Sequence, residues 1–188
     1  MTCTQSTESV KILAPAVTRE QAEKTIQKAL RRRFLVRPGS LKNIELIYVP
    51  FHAFRCRIKD KPENHVVSAA GDALTGEYAA TLRNFQVLPD RADVQVPPPQ
   101  VAAETVHKLV VDHVRWMMIQ GKLFRIHSGE LDACEHTELL AYPFWVGYVK
   151  RGDRYNIQVV DAISGERTGP QLRQLLLLAI RLLPENAE

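Results

Sequence analysis

Cysteine is scarce and unpatterned. Cys3, Cys56 and Cys134 are odd in number, spread across 188 residues and contain no C-x-x-C pair. That usage argues against a zinc ribbon or a disulfide framework and predicts reduced thiols in a cytoplasmic protein. The nine glycines are scattered; none falls in G-x-G-x-x-G or G-x-x-x-x-G-K-[ST], so no phosphate-cradling loop and no nucleotide cofactor are expected. A G-x-S-x-G elbow is missing too, and no Cys–His pair stands in a recognisable catalytic context, so no catalytic residue is assigned. Long apolar runs are lacking. The most apolar stretch, residues 172–183 (LRQLLLLAIRLL), is interrupted by Arg173, Gln174 and Arg181 and falls well short of the ~20 residues a membrane span requires. The opening MTCTQSTESVK has no apolar signal-peptide core. Charge of one sign does not dominate: Lys+Arg 25 against Asp+Glu 21 gives +4, which by itself selects no nucleic-acid partner. What remains, 45% hydrophobic and 24% charged residues, is ordinary globular composition.

The informative stretch is residues 141–167 (AYPFWVGYVKRGDRYNIQVVDAISGER). It reads as a β-hairpin: a strand entering at Tyr142-Pro143, a turn at Arg151-Gly152-Asp153, a return strand over 155–160 and a closing turn, Asp161-Ala-Ile-Ser-Gly165. Residues 48–77 carry a worn copy that closes in Asp72-Ala-Leu-Thr-Gly76-Glu77. Pro50-Phe51 matches Pro143-Phe144 at an offset of 93, and Asp72 matches Asp161 at an offset of 89. The first hairpin is therefore four residues longer, a difference assigned to its KDKPEN turn. A helix precedes each hairpin. The first starts at a capping box, Thr18-x-x-Gln21, with Ala22, Ile26, Ala29 and Leu30 on one face. The second places Ala102, Val106, Leu109, Val110 and Met117 on a stripe and stops at Gly121. Pro50 is expected at an edge, bulge or strand break because it has no amide to donate. Residues 127–136 (HSGELDACEH) read as a polar loop, and residues 171–183 as a short helix that is apolar nearly all round and must be covered.

Helix, strand, strand and a closing "VDxxTG-E" resembles the PepSY-type module of peptidase propeptides and bacterial accessory proteins. The matching residues are Tyr155-Asn-Ile-Gln-Val-Val-Asp161-Ala-Ile-Ser-Gly165-Glu166 and, more faintly, His65-Val-Val-Ser-Ala-Ala-Gly71-Asp72-Ala-Leu-Thr-Gly76-Glu77. The resemblance implies a cystatin-like helix-on-sheet fold and a non-catalytic, protein-binding or inhibitory role. It supplies no catalytic residue.

Few side chains suggest chemistry. His52 and Cys56 would be roughly 13–14 Å apart on one strand face, too far to share a metal. Cys134-Glu135-His136 has ligand types, but no second cluster has ligand spacing, so no metal site is assigned. His107 and His113 lie about 240° apart on their helix and do not converge; His113 is expected to be hydrogen-bonded in a core or interface. Lys28, Arg31, Arg32, Arg33 and Arg37 form the one dense basic strip, read as dipole-complementing cations on a solvated helix end or as an anion-binding strip. Phe51-His52 and Phe144-Trp145 follow equivalent prolines. They are the candidate partner-binding residues, against the alternative that both aromatics fill the core beneath a helix.

The expected fold is α+β: duplicated helix–strand–strand units with helices packed on one face of antiparallel sheet. The division is a flexible leader (1–14), a first unit (15–88), a Pro-rich connector (89–99), a second unit (100–170), and an apolar helix with tail (171–188). The expected function is non-enzymatic binding or scaffolding through the aromatic strands and sheet edges, with a protein partner, a homodimer, no cofactor, no membrane span and a cytoplasmic location. The alternatives are a nucleic-acid-associated protein using the 28–37 strip and an enzyme with an unrecognised site.

Overall fold

The computed structural model describes residues 10–31, 39–60, 63–82, 85–89, 94–121, 123 and 129–183. Its elements are β1 (Lys11–Ile12), α1 (Arg19–Arg31), β2 (Ser40–Asp60), β3 (Glu63–Asp72), β4 (Ala79–Leu82), α2 (Ala103–Ile119), β5 (Glu130–Arg151), β6 (Arg154–Asp161) and α3 (Pro170–Leu182). The fold is α+β, with one mixed sheet of six strands in the order β1-β5-β2-β3-β4 and β6 paired to β5.

The helices follow their sequence signals. At the start of α1 the Thr18 amide donates to Gln21 Oε1 at 2.9 Å, while the Gln21 amide donates to Thr18 Oγ1 at 3.3 Å. Two amides that the helix leaves unpaired are thus satisfied reciprocally. Ala22, Ile26 and Leu30 are buried at four-residue spacing, as are Val106, Val110 and Val114 on α2, one stripe in each case. In α3, Leu172, Leu175, Leu176 and Ala179 are buried, so its own chain covers one face. No described helix is long and apolar enough to cross a membrane.

The strands depart from expectation in four places. β2 runs unbroken through Pro50. The reason is where the missing donor falls. The Pro50 carbonyl accepts from the Ala73 amide at 2.9 Å, and a strand residue's N–H and C=O point to the same side. The Pro50 nitrogen therefore faces the place where β3, whose pairing begins at Phe51↔Asp72, has already turned away. Pro143 repeats this, with its carbonyl accepting from Ala162 just before Phe144↔Asp161. Second, β5 starts at Glu130, inside the expected polar loop. Its polar side chains suit a strand because Asp132 pairs with Arg57 and Lys59 while Leu131 and Cys134 pack against the α2 core. Third, the four additional residues of the first hairpin lengthen its strands rather than its turn. Pairing there runs over ten positions, from Phe51↔Asp72 to Asp60↔Glu63, against eight, from Phe144↔Asp161 to Arg151↔Arg154. Fourth, part of the expected leader is structured: Lys11 and Ile12 pair parallel with Leu140 and Ala141.

Contacts divide the chain into two compact units that draw on both halves of the sequence. One comprises Met1–Ile12, Pro50–Asn84 and Pro99–Ala141. In it α2 covers β3, and Phe54, Cys56, Ile58, Val67, Ala69, Val106, Val110, Val114 and Leu123 form the core. Gly71 permits the close approach of α2, since a Cβ there would overlap Val106. The other unit comprises Leu13–Val49, Phe85–Pro98 and Tyr142–Glu188. There α1 packs on β6 over a core of Ala22, Ile26, Leu30, Ile44, Val149 and Val160. Each unit thus joins a helix from one half of the sequence to a hairpin from the other.

Each return strand ends in a turn gathered by a buried aspartate. The Asp72 carboxylate accepts from the amides of Leu74, Thr75, Gly76, Glu77 and Tyr78 at 2.6–3.2 Å and from the Thr75 hydroxyl. Asp161 accepts from the Ile163 and Ser164 amides at 2.8 and 2.9 Å and from the Tyr142 hydroxyl. Gly76 and Gly165 supply φ of 69° and 75°, in the left-handed region that other residues enter at a cost. Replacing Asp72 by Ala strands one buried and four part-buried amides and should lower the unfolding free energy by about 3 kcal/mol. Asp161→Ala should cost less because it frees fewer donors. Denaturant midpoints at unchanged slope test this ranking, which equal shifts would overturn.

Candidate functional site

The aromatic pairs singled out in the sequence lie inside. Phe51 and Phe144 are fully buried and His52 nearly so. Trp145 is half-buried against the α1 core, and its indole N–H donates to the Val17 carbonyl at 2.8 Å. For Phe51, His52 and Phe144 this burial corrects the expectation of a docking surface. Strand alternation placed them, since the residues after Pro50 and Pro143 point alternately to the two faces of a sheet covered at these positions.

His52 anchors a polar and aromatic group beside α2. A carbonyl only accepts, so His52 Nε2–H donates to Val101 O at 2.8 Å. That leaves His52 Nδ1 to accept from His136 Nε2–H at 3.3 Å. His107 Nε2–H donates to Cys134 O at 2.8 Å, and the Phe54 ring lies against both His107 and His136. Cys56 and Cys134 are disulfide-bonded with Cα atoms 4.0 Å apart. This corrects the expectation of reduced thiols; the partners are 78 residues apart and meet only because β5 lies beside β2, which no spacing rule reveals. Both ring nitrogens of His52, and one each of His107 and His136, are engaged in these bonds. Among the described residues, no group of three or more His, Cys, Asp or Glu is placed to hold a metal ion.

Of the basic strip, Lys28 and Arg31 occupy the last turn of α1 and are exposed, where cations complement the helix dipole. Arg32, Arg33 and Arg37 lie outside the described residues. His113 shares a 3.3 Å hydrogen bond with Thr81 Oγ1, and burial lowers its pKa. Tyr148 donates its hydroxyl to Glu45 Oε1; burial, then the Glu45 hydrogen bond and charge, push the phenol well above its ordinary range.

Two surface features were missed in the sequence. Near the far end of each hairpin stands a cross-strand pair of a cation and an exposed apolar side chain. Arg57 is paired with Val66, which is 56% exposed. Lys150 is paired with Tyr155, which is 65% exposed, and Lys150 Nζ lies 5.8 Å from the Tyr155 ring centroid. The signal was present: the cations are offset by 93 and the apolar residues by 89, the same offsets that align the hairpins. The second feature is an open cavity of about 210 Å³ beside β6, lined by Ile157, Gln158, Val159, Arg167, Thr168, Gly169, Pro170 and Arg173.

Trp145→Ala removes a packed indole and should cost about 3 kcal/mol of stability, read from the denaturant midpoint. An unchanged midpoint would return Trp145 to the list of surface candidates. For His113, burial sets the folded pKa below the ordinary value, so the unfolded chain takes the proton first. Its contribution is present above the unfolded value and is lost as pH falls from about 6.5 toward the folded pKa. His113→Gln should flatten the fall in denaturant midpoint between about pH 7.5 and about pH 5; an unaltered slope would assign that fall to other groups. Comparison with known proteins finds no family model, no curated protein and no solved structure that matches this chain.

Proposed function

We propose that the protein is a non-enzymatic binding module that takes an extended segment of a protein partner onto the outer edges of its hairpins. We also infer that the hairpins are copies of one ancestral unit of PepSY-like type. The observation that carries the reading is the repeated pairing of a cation with an exposed apolar side chain, Arg57–Val66 and Lys150–Tyr155. Isolated exposed apolar residues are common. Two at the same register, each opposite a cation and each on the return strand of a hairpin, are better explained by use than by chance.

The edges themselves support it. Among the described residues, β4 pairs with β3 from Ser68 to Gly71, and none of them pairs with Val66 on that side. Along β6, the outer edge receives the Thr168 amide at Val159 O and bridges Arg167 at Val160; this cover ends before Tyr155. A strand laid there gains main-chain hydrogen bonds for affinity and an alternating side-chain pocket for specificity. The burial of Phe51, His52 and Phe144 moves the binding role from the aromatic strands to these edges.

Peptides selected by display on the immobilised protein, titrated into the ¹⁵N-labelled chain, test the reading. The amides of residues 63–67 or 154–158 should shift. Tyr155→Ser and Val66→Ser should each weaken capture, with unfolding changed by less than about 0.5 kcal/mol because both side chains are exposed. Selected peptides whose shifts all fall elsewhere would overturn the proposal.

A further inference from the structure

We propose that the β6 edge takes a specific kind of segment: an extended peptide bearing a carboxylate side chain, seated between Arg167 and Arg173. This rests on the strand-addition reading above and adds the chemistry of the partner. Residues 154–158 carry their inner hydrogen bonds to β5. On the outer side, among the described residues, 166–168 close the edge at Val159, Val160 and Asp161. A segment added to the open part would run toward that closure and meet the cavity at its end.

The cavity's charge is one-sided. Its polar lining consists of Gln158, Thr168 and two arginines, with no acidic side chain. Among the described residues, neither Arg167 nor Arg173 is in an ion pair with a carboxylate. Arg167 is nevertheless oriented, because its Nη2–H donates to Gln158 Oε1 at 3.0 Å. The Gln158 amide in turn donates to Ile157 O at 3.1 Å. Arg154, exposed at the start of β6, adds a third cation along the same edge. A held guanidinium beside a second one favours a carboxylate, which accepts charge-assisted hydrogen bonds from both. Ile157 and Val159 supply an apolar floor for the stem of such a side chain. The alternation of a strand places one side chain of the added segment toward this pocket and its neighbours away from it.

Two synthetic hexapeptides test the proposal: acetyl-Thr-Val-Glu-Val-Thr-Val-amide and its Gln counterpart, titrated into the ¹⁵N-labelled full chain. The Glu peptide should shift the amides of residues 154–158 and bind about ten-fold tighter than the Gln peptide, the worth of one added charge-assisted contact. That preference should shrink with added salt. Arg173→Gln should remove most of the preference while leaving the remaining amide spectrum unchanged; Arg167→Gln, whose loss also frees Gln158, should do the same. Equal binding of both peptides at residues 154–158 would overturn the carboxylate inference and leave strand addition standing. If neither peptide shifted those amides, or the Glu peptide bound elsewhere, the β6-edge inference would fall; strand addition itself would fall only if the display-selected peptides also shifted neither residues 63–67 nor residues 154–158.

Discussion

The structure depends on a carboxylate that holds a turn closed. Asp72 and Asp161 sit at the last positions of their return strands, directly across from Phe51 and Phe144. By collecting amides from the residues that follow, each fixes where its strand stops and therefore which residues pair. Register matters because a one-residue slip would exchange the two faces of the strand. Phe54, Cys56 and Ile58 face α2 only in the observed pairing. The same stop makes the prolines tolerable, since the ladder has no partner to lose at Pro50 or Pro143. One local interaction thereby sets pairing, burial and the continuity of two long strands.

The continuity of β2 and β5 has its own consequence. Each strand serves both compact units, so each unit recruits a helix from one half of the sequence and a hairpin from the other. A helix that covered its own following hairpin would form contacts of shorter range. The observed arrangement asks for pairings across most of the chain, whose loop-closure entropy must be met before the cores reward it. Cys56 and Cys134, on neighbouring strands, join two such distant stretches covalently.

The surface carries what the cores leave unused. His52 spends both ring nitrogens, and His107 and His136 one each, on carbonyls and on one another. At the hairpin edges Arg57 is paired with Asp132 and Lys150 lies over the Tyr155 ring, while Val66 and Tyr155 themselves remain exposed. Arg167 and Arg173 face a cavity with no acidic neighbour in its lining, and Val66 and Tyr155 project where a strand could be added.

The capping box at Thr18 and Gln21, the stripes of α1 and α2, the hairpin turn at Gly152 and the Asp-to-Gly closures were all legible in the sequence. Each depends on residues at most a few positions apart, where propensity and hydrogen bonding decide. Offsets of 93 and 89 even marked the exposed pairs in advance, although only burial showed that these were the exposed ones. The rest was decided by tertiary contacts. The aromatic residues after Pro50 and Pro143 became core because strand faces acquire meaning only when a helix covers one. The polar stretch from Glu130 became strand because β2 lay beside it to accept its hydrogen bonds and to pair Arg57 and Lys59 with Asp132. Cys56 and Cys134 became partners because two strands were neighbours in space. The sequence by itself determined the short-range pieces, through forces acting within a turn or two. Which helix met which hairpin depended on burial summed over distant segments, and only the folded chain could decide it.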